Sequence, residues 1–150
     1  NRMKLVVQRV TSCEVHIGGS CYSRTSEGLL VLFGTRNGDT RELCPFLCDK
    51  LVNLRIFEDA DEKMNLSALD VQAELMVVSQ FTLYADTRKG RRPSFTDAMP
   101  PAEAEDIYNH FVDLLRKTEL TVQTGVFGEK MDVSFTNHGP VTIILEHPLA

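Results

Sequence analysis

Five consecutive apolar residues, Leu29-Leu-Val-Leu-Phe33, constrain this chain more than any other stretch. Side chains alternate across a strand, so a strand of this composition presents apolar groups on both faces and must be covered on both. The cover is legible in the same sequence. Leu43, Leu47, Leu51 and Leu54 recur at helical spacing, with Asp39 or Thr40 as the expected N-cap and Pro45 in the first turns, where a missing N–H costs least. Pro100-Pro101 opens a second expected helix, with Glu103, Glu105 and Asp106 at its positive end and Arg116 and Lys117 near its negative end. Ile107, Phe111, Leu114 and Leu115 are its expected buried stripe.

The remaining segments are extended. Lys4–Val10 and Cys13–Ile17 are β-branched, and Gly18-Gly19 between Ile17 and Tyr22 signals a hairpin. Glu74–Leu83 is a further expected strand, and Glu58–Lys63 a solvated turn. In the tail, Met131–Phe135 and Val141–Leu145 are expected as two extended segments joined by a hairpin connection over Thr136–Pro140. There is no internal repeat, low-complexity tract or linker. The pattern predicts a single α/β domain, strand-rich, with two main helices.

Composition narrows the class. Hydrophobic residues make up 43% and charged residues 25% of the 150 residues, ordinary for a globular protein. No apolar run approaches the roughly 20 residues of a spanning helix, so no membrane partner is expected. No export signal is expected, and Asn1 and Arg2, ahead of Met3, are expected to be a cloning remnant. The domain is accordingly expected over 3–150. Sixteen Lys plus Arg against 21 Asp plus Glu give a net charge of −5, so a nucleic-acid partner would need a local patch. Cys13, Cys21, Cys44 and Cys48 form no C-x-x-C pair, and the histidines are scattered. The four are therefore expected as reduced thiols, with Cys44 and Cys48 filling the core and no metal site.

Four features could carry chemistry. Ser79-Gln80-Phe81-Thr82 closes an apolar strand; Ser79 and Thr82 are candidate nucleophiles, but no base pattern surrounds them, and from spacing alone ordinary strand polar residues are the favoured reading. Arg88, Lys89, Arg91 and Arg92 place four cations in five positions around Gly90, which suits a phosphate backbone as well as a solvated loop. Asn137-His138-Gly139-Pro140 reads as a turn or as a rigid hook presenting carbonyl oxygens. Arg9 interrupts an apolar strand, either reaching water from a strand end or holding a loop from a buried position.

Read in order, these segments are more specific than any one alone. Val7-Gln-Arg-Val-Thr11, Phe57-Glu-Asp59, Lys63-Met-Asn-Leu66, Ser79-Gln-Phe-Thr-Leu83, Ala85–Phe95, Thr124-Gly125 and Asn137-x-Gly-Pro-Val-Thr142 succeed one another along the chain. The set resembles the D-aminoacyl-tRNA deacylases of bacteria and eukaryotes from Met3 to Leu145. Ser-Gln-x-x-Leu and Asn-x-Gly-Pro-Val-Thr are the hallmark pair. His138 stands at a variable position where an acidic residue is frequent in relatives.

The resemblance implies a β-barrel-like sheet packed with two main helices, in a cytoplasmic homodimer whose two active sites lie at the interface. It implies hydrolysis of the ester linking a D-amino acid, or glycine, to the terminal adenosine of tRNA, with no cofactor. Ser79, Gln80, Phe81 and Thr82 would form the pocket floor. A cis Gly139-Pro140 would reach into the partner's pocket and reject L side chains, with Arg9 clamping it. The tRNA 2′-OH would assist attack, with backbone N–H groups near Phe81 and Thr82 stabilising the oxyanion and Thr82 the alternative nucleophile. Two rivals remain: a non-catalytic RNA-binding module using the 88–92 loop, and a conventional Ser or Thr hydrolase of small esters.

Overall fold

A computed structural model describes residues 2–149; Asn1 and the last residue of the expected domain lie outside the described residues. β1 (Met3–Ile17) and β2 (Ser20–Thr25) form the hairpin expected at Gly18-Gly19, whose positive φ angles of 57° and 84° suit glycine. β3 (Gly28–Gly34) contains the apolar run and lies at the centre of the sheet. A 3-10 turn (Arg41–Leu43) leads into α1 (Cys44–Asn53). The short hairpin β4 (Phe57–Glu58) and β5 (Met64–Leu66) is followed by α2 (Ala68–Val71) and β6 (Glu74–Ser79). A 3-10 turn over Phe81–Tyr84, α3 (Pro101–Arg116), β7 (Val122–Thr124) and β8 (Asp132–His147) complete the chain.

The main sheet runs β2-β1-β3-β6-β7, with β8 on the other edge of β1. β3, β6 and β7 are parallel, whereas β1 is antiparallel to β2, β3 and β8. β1 changes partner along its length: Lys4–Val10 pair with β3, and Cys13–Ile17 pair with β2. Its first half places Met3, Leu5 and Val7 with Leu29, Val31 and Phe33 under α1 and α3. Its second half places Val10, Cys13 and Val15 over Leu30, Met76 and Val78, on the opposite face of β3 and β6. The sheet thereby curls into a nearly closed barrel, and both faces of the apolar run are covered.

The helices bury what the spacing demands, with local differences. Leu47, Leu51, Phe111 and Leu115 are fully buried, each contributing on the order of 1.5–3 kcal/mol. Leu114 is only half-buried, and Tyr108 takes its place in the stripe, donating to Val77 O at 2.7 Å. Cys44 and Cys48 fill the α1–α3 seam, where burial raises both thiols to about 12. Neither Asp39 nor Thr40 caps the helix: the Asp39 carboxylate accepts from Arg36 N at 2.6 Å instead, closing the preceding turn. Ser67 and Asp70 form a reciprocal capping box on α2, a helix the periodicity was too short to signal.

The tail is not a hairpin. Its two extended segments both run antiparallel to β1, hence in the same direction, and join as one 16-residue strand. Gln8 pairs with Thr142 and Val10 with Asn137, so Arg9 alone stands opposite the four residues His138–Val141. The presumed connection is a bulge pushed out of a continuous strand.

Candidate active site

β6 ends at Ser79, four residues earlier than the apolar run suggests. Gln80 N–H still reaches Phe33 O at 2.8 Å, after which the chain tightens into the 3-10 turn. Gly34 permits the close approach, because a Cβ there would lie 3.0 Å from Leu83 Cβ. Ser79, Gln80, Phe81 and Thr82 thus sit at a strand-to-turn corner rather than within a strand. The first N–H groups of such a turn, those of Phe81 and Thr82, have no acceptor within it.

This corner forms one side of a cleft of about 710 Å³ beyond the carboxyl ends of the parallel strands. Phe95, Thr96, Ala98 and Met99 with the start of α3 line a second side, and Phe127, Gly128, Glu129 and Met131 a third. Phe81 is 59% exposed and meets Phe95 edge-to-face, with ring centroids 5.0 Å apart. Gln80 Nε2 donates to Thr82 Oγ1 at 2.9 Å. A donor aimed at the hydroxyl oxygen lowers its nucleophilicity, the opposite of what a general base does. Among the described residues lining the cleft, Glu129 is the sole carboxylate and there is no histidine. Glu129 and Asn37 were missed by sequence reasoning, since each comes from a loop without a local motif, whereas Phe95 closes the Ala85–Phe95 segment but carried no role there.

Gly139 and Pro140 are exposed, joined by a cis peptide bond, and do not line this chain's own cleft. Gly139 has φ 137°, and a Cβ there would lie 2.8 Å from Val141 Cγ2 and 3.0 Å from the Arg9 guanidinium. Two side chains hold the bulge. Asn137 staples its base, Oδ1 accepting from Val141 N at 2.7 Å and Nδ2 donating to Val141 O at 3.1 Å. Arg9 is only 5% exposed, so the reading of a strand-end arginine reaching water is corrected. Its Nε donates to His138 O at 2.9 Å and an Nη to Ile56 O at 2.8 Å, with Glu58 Oε1 at 3.5 Å. Asn137, Ile56 and Glu58 carry no role in the sequence reading. The only signal was an Asn four residues before a Val, able to bond its own backbone in both senses.

The basic loop is pinned at its base by the Asp86–Ser94 bridge. Arg88 is not a free cation: its Nε and an Nη donate to both Asp86 oxygens at 2.9 and 2.8 Å. That guanidinium, helped by Arg88 N–H, holds the Asp86 carboxyl down to about 2. Lys89, Arg91 and Arg92 are exposed and make no ion pair among the described residues.

Known proteins are similar to this chain in sequence and in fold. The family model of D-Tyr-tRNA(Tyr) deacylase matches residues 6–146. D-aminoacyl-tRNA deacylase of Bacillus licheniformis is 54% identical, over 96% of this chain and 98% of the relative. That of Carboxydothermus hydrogenoformans is 49% identical, over 96% and 99%. Among solved structures, the c-Myc DNA unwinding element binding protein superposes with a TM-score of 0.91 at 45% identity, covering 97% of this chain and 99% of that one. A probable eukaryotic D-amino acid tRNA deacylase, at 16% identity and a TM-score of 0.86, covers 97% of this chain and 100% of its own and shows the shared fold alone. The chain belongs to the D-Tyr-tRNA(Tyr) deacylase family, whose members are ester hydrolases acting on aminoacyl-tRNA.

Proposed function

We propose that this enzyme hydrolyses the ester of D-aminoacyl-tRNA and of glycyl-tRNA, and that it selects its substrates with a Gly139-Pro140 hook supplied by a second copy of the chain. The carrying observation is the exposed bulge at Gly139-Pro140, held by buried Arg9 yet absent from the lining of its own cleft. A hook that faces away from its own pocket has a use if it enters a partner's. Phe135 and Ile144, 41% and 60% exposed on β8 to either side of the bulge, offer apolar surface for that pairing. The homodimer would act in the cytoplasm, where aminoacyl-tRNA is made and used.

The chemistry follows from what the cleft contains. The ester is already activated, so positioning and oxyanion stabilisation supply most of what is needed. Phe81 offers an exposed ring for the terminal adenosine to stack on. The N–H groups of Phe81 and Thr82 face the developing oxyanion. Water adds to the ester carbonyl, the bond to the ribose oxygen breaks, and the neighbouring 2′-OH assists the proton transfer. With carbonyl oxygens of the hook against the α-carbon, an L side chain collides, a D side chain points outward, and glycine has nothing to reject.

The test compares a D-tyrosyl-tRNA ending in 2′-deoxyadenosine with the ordinary ester, and Thr82→Ala with the unaltered enzyme. Loss of about 100-fold or more on the deoxy substrate is expected, the size of an acid–base contribution, while Thr82→Ala retains most activity. An unimpaired deoxy substrate together with an inactive Thr82→Ala would assign attack to the threonine instead.

A further inference from the structure

The β1–β2 hairpin gathers donors that the deacylation chemistry does not use. Glu14 and His16 are two apart on β1, so both leave the same face of the strand, away from buried Cys13 and Val15. Cys21 stands opposite His16 on β2, beside a register shift at Val15/His16. A carboxylate oxygen, an imidazole nitrogen and a thiol sulfur thereby lie within 4.8 Å of one another. The spacing of cysteines and histidines along the sequence hides this set, because the hairpin bulge creates it.

The polar contacts around the cluster are few. His16 Nε2 and Glu14 Oε1 are 2.9 Å apart, Glu14 Oε2 accepts from Arg24 Nε at 2.7 Å, and Cys21 Sγ donates to Ser23 O at 3.5 Å. On the other edge of β1, exposed Asp132 of β8 is the Cα partner of His16. Directly opposed residues of an antiparallel pair share a face, with Cβ atoms about 4.5–5.5 Å apart. Asp132 and Cys21 flank His16 from opposite edges of β1, two strand spacings apart, so Asp132 adds negative charge beside the cluster rather than a ligand to it.

We propose that Glu14, His16 and Cys21 bind one Zn²⁺ ion at the end of this hairpin, with water as the fourth ligand. The donor chemistry selects the ion: a thiolate and an imidazole beside carboxylates suit Zn²⁺, whereas Mg²⁺ and Ca²⁺ take oxygen alone. With bonds of about 2.0–2.3 Å, tetrahedral ligand atoms stand roughly 3.5 Å apart, so side-chain adjustments close the site without moving the strands. The ion replaces the His16–Glu14 contact and displaces the Cys21 thiol proton, which is released to water. Arg24 stays on the outer carboxylate oxygen, orienting Glu14 as second-layer partners of metal ligands do. Bound there, Zn²⁺ ties β1 and β2 together.

The test is titration of the full-length, chelator-treated protein with Co²⁺, followed by displacement with Zn²⁺. One equivalent of Co²⁺ should produce a thiolate-to-cobalt charge-transfer band that Zn²⁺ abolishes. Cys21→Ser should lose the band, and Cys21→Ser, His16→Ala and Glu14→Gln should each bind at least about tenfold more weakly. Zn²⁺ should also raise the melting temperature of the unaltered protein and not that of His16→Ala. Absence of the thiolate band in the unaltered protein overturns the site whatever the variants do. Undiminished affinity in Cys21→Ser or His16→Ala also overturns it.

Discussion

The Arg9 guanidinium donates to His138 O at 2.9 Å, across the point where β8 has four residues to one of β1. A second bond runs to Ile56 O at 2.8 Å, so one buried side chain joins the bulge, β1 and the segment before β4. The planar fork of arginine matches two carbonyls at fixed positions, which an ammonium group cannot do with the same rigidity.

Arg9→Ala removes that link and leaves two carbonyls without their donor. Each buried acceptor left unpaired costs about 1–3 kcal/mol, and at 150 residues each kcal/mol lowers the melting temperature by about 2–4 °C. The variant is expected to melt several degrees lower and, where folded, to cleave L-tyrosyl-tRNA that the unaltered enzyme spares. Arg9→Lys is expected to restore selectivity only partly. Calorimetry and paired D and L deacylation rates check both.

The basic loop is expected to respond unevenly to substitution. Lys89, Arg91 and Arg92 are exposed and unpaired among the described residues, whereas Arg88 is tied to Asp86. Replacing any of the first three by Ala should reduce the slope of log affinity for tRNA against log salt by about 1. Arg88→Ala should change it less, since the lost cation was already neutralised. Filter binding across a salt series separates the two groups.

The same pair sets a pH limit on the loop. The folded Asp86 carboxyl, at about 2, lies below its ordinary value of 3.8. A depressed folded value means that the tether's contribution is fully present above about 4 and is lost as the pH falls through about 2. Carboxyl NMR titration should place the Asp86 midpoint near 2, and Arg88→Ala should return it towards 3.8.

The cysteines should divide by burial. Cys13, Cys44 and Cys48 are buried, with thiols pushed up to about 11, 12 and 12. Thiolate is the reactive form, so none of them should be alkylated in the native protein at pH 8. In the chelator-treated protein, exposed Cys21 should take the single label, and Cys21→Ser should abolish it, as read by intact mass.

Much of this architecture is legible in residue order because local and global signals agree. The apolar run at Leu29–Phe33, the Gly18-Gly19 turn and the two helical stripes each specify one element, and the hallmark motifs specify the family. What escaped was set by tertiary pairing. Thr136–Pro140 has the composition of a turn, and only pairing with β1 on both sides converts it into a bulge. Glu74–Leu83 looks continuous because Phe81 and Leu83 are apolar, yet Gly34 leaves room for the chain to coil at Gln80. Arg9 reads as a strand-end cation until its carbonyl partners, 47 and 129 residues away, come together around it. The cleft walls at Phe95 and Phe127–Met131 come from separate loops, which no local pattern links.

The most direct test of the central claim is deacylation of matched D- and L-tyrosyl-tRNA by the purified protein over a range of enzyme concentrations. Rapid loss of the D ester with the L ester spared is the expected result. Equal cleavage of both would leave deacylation standing and contradict selection by the Gly139-Pro140 hook. Survival of both esters, with tRNA still bound, would contradict catalysis itself and favour a binding module built on the 88–92 loop.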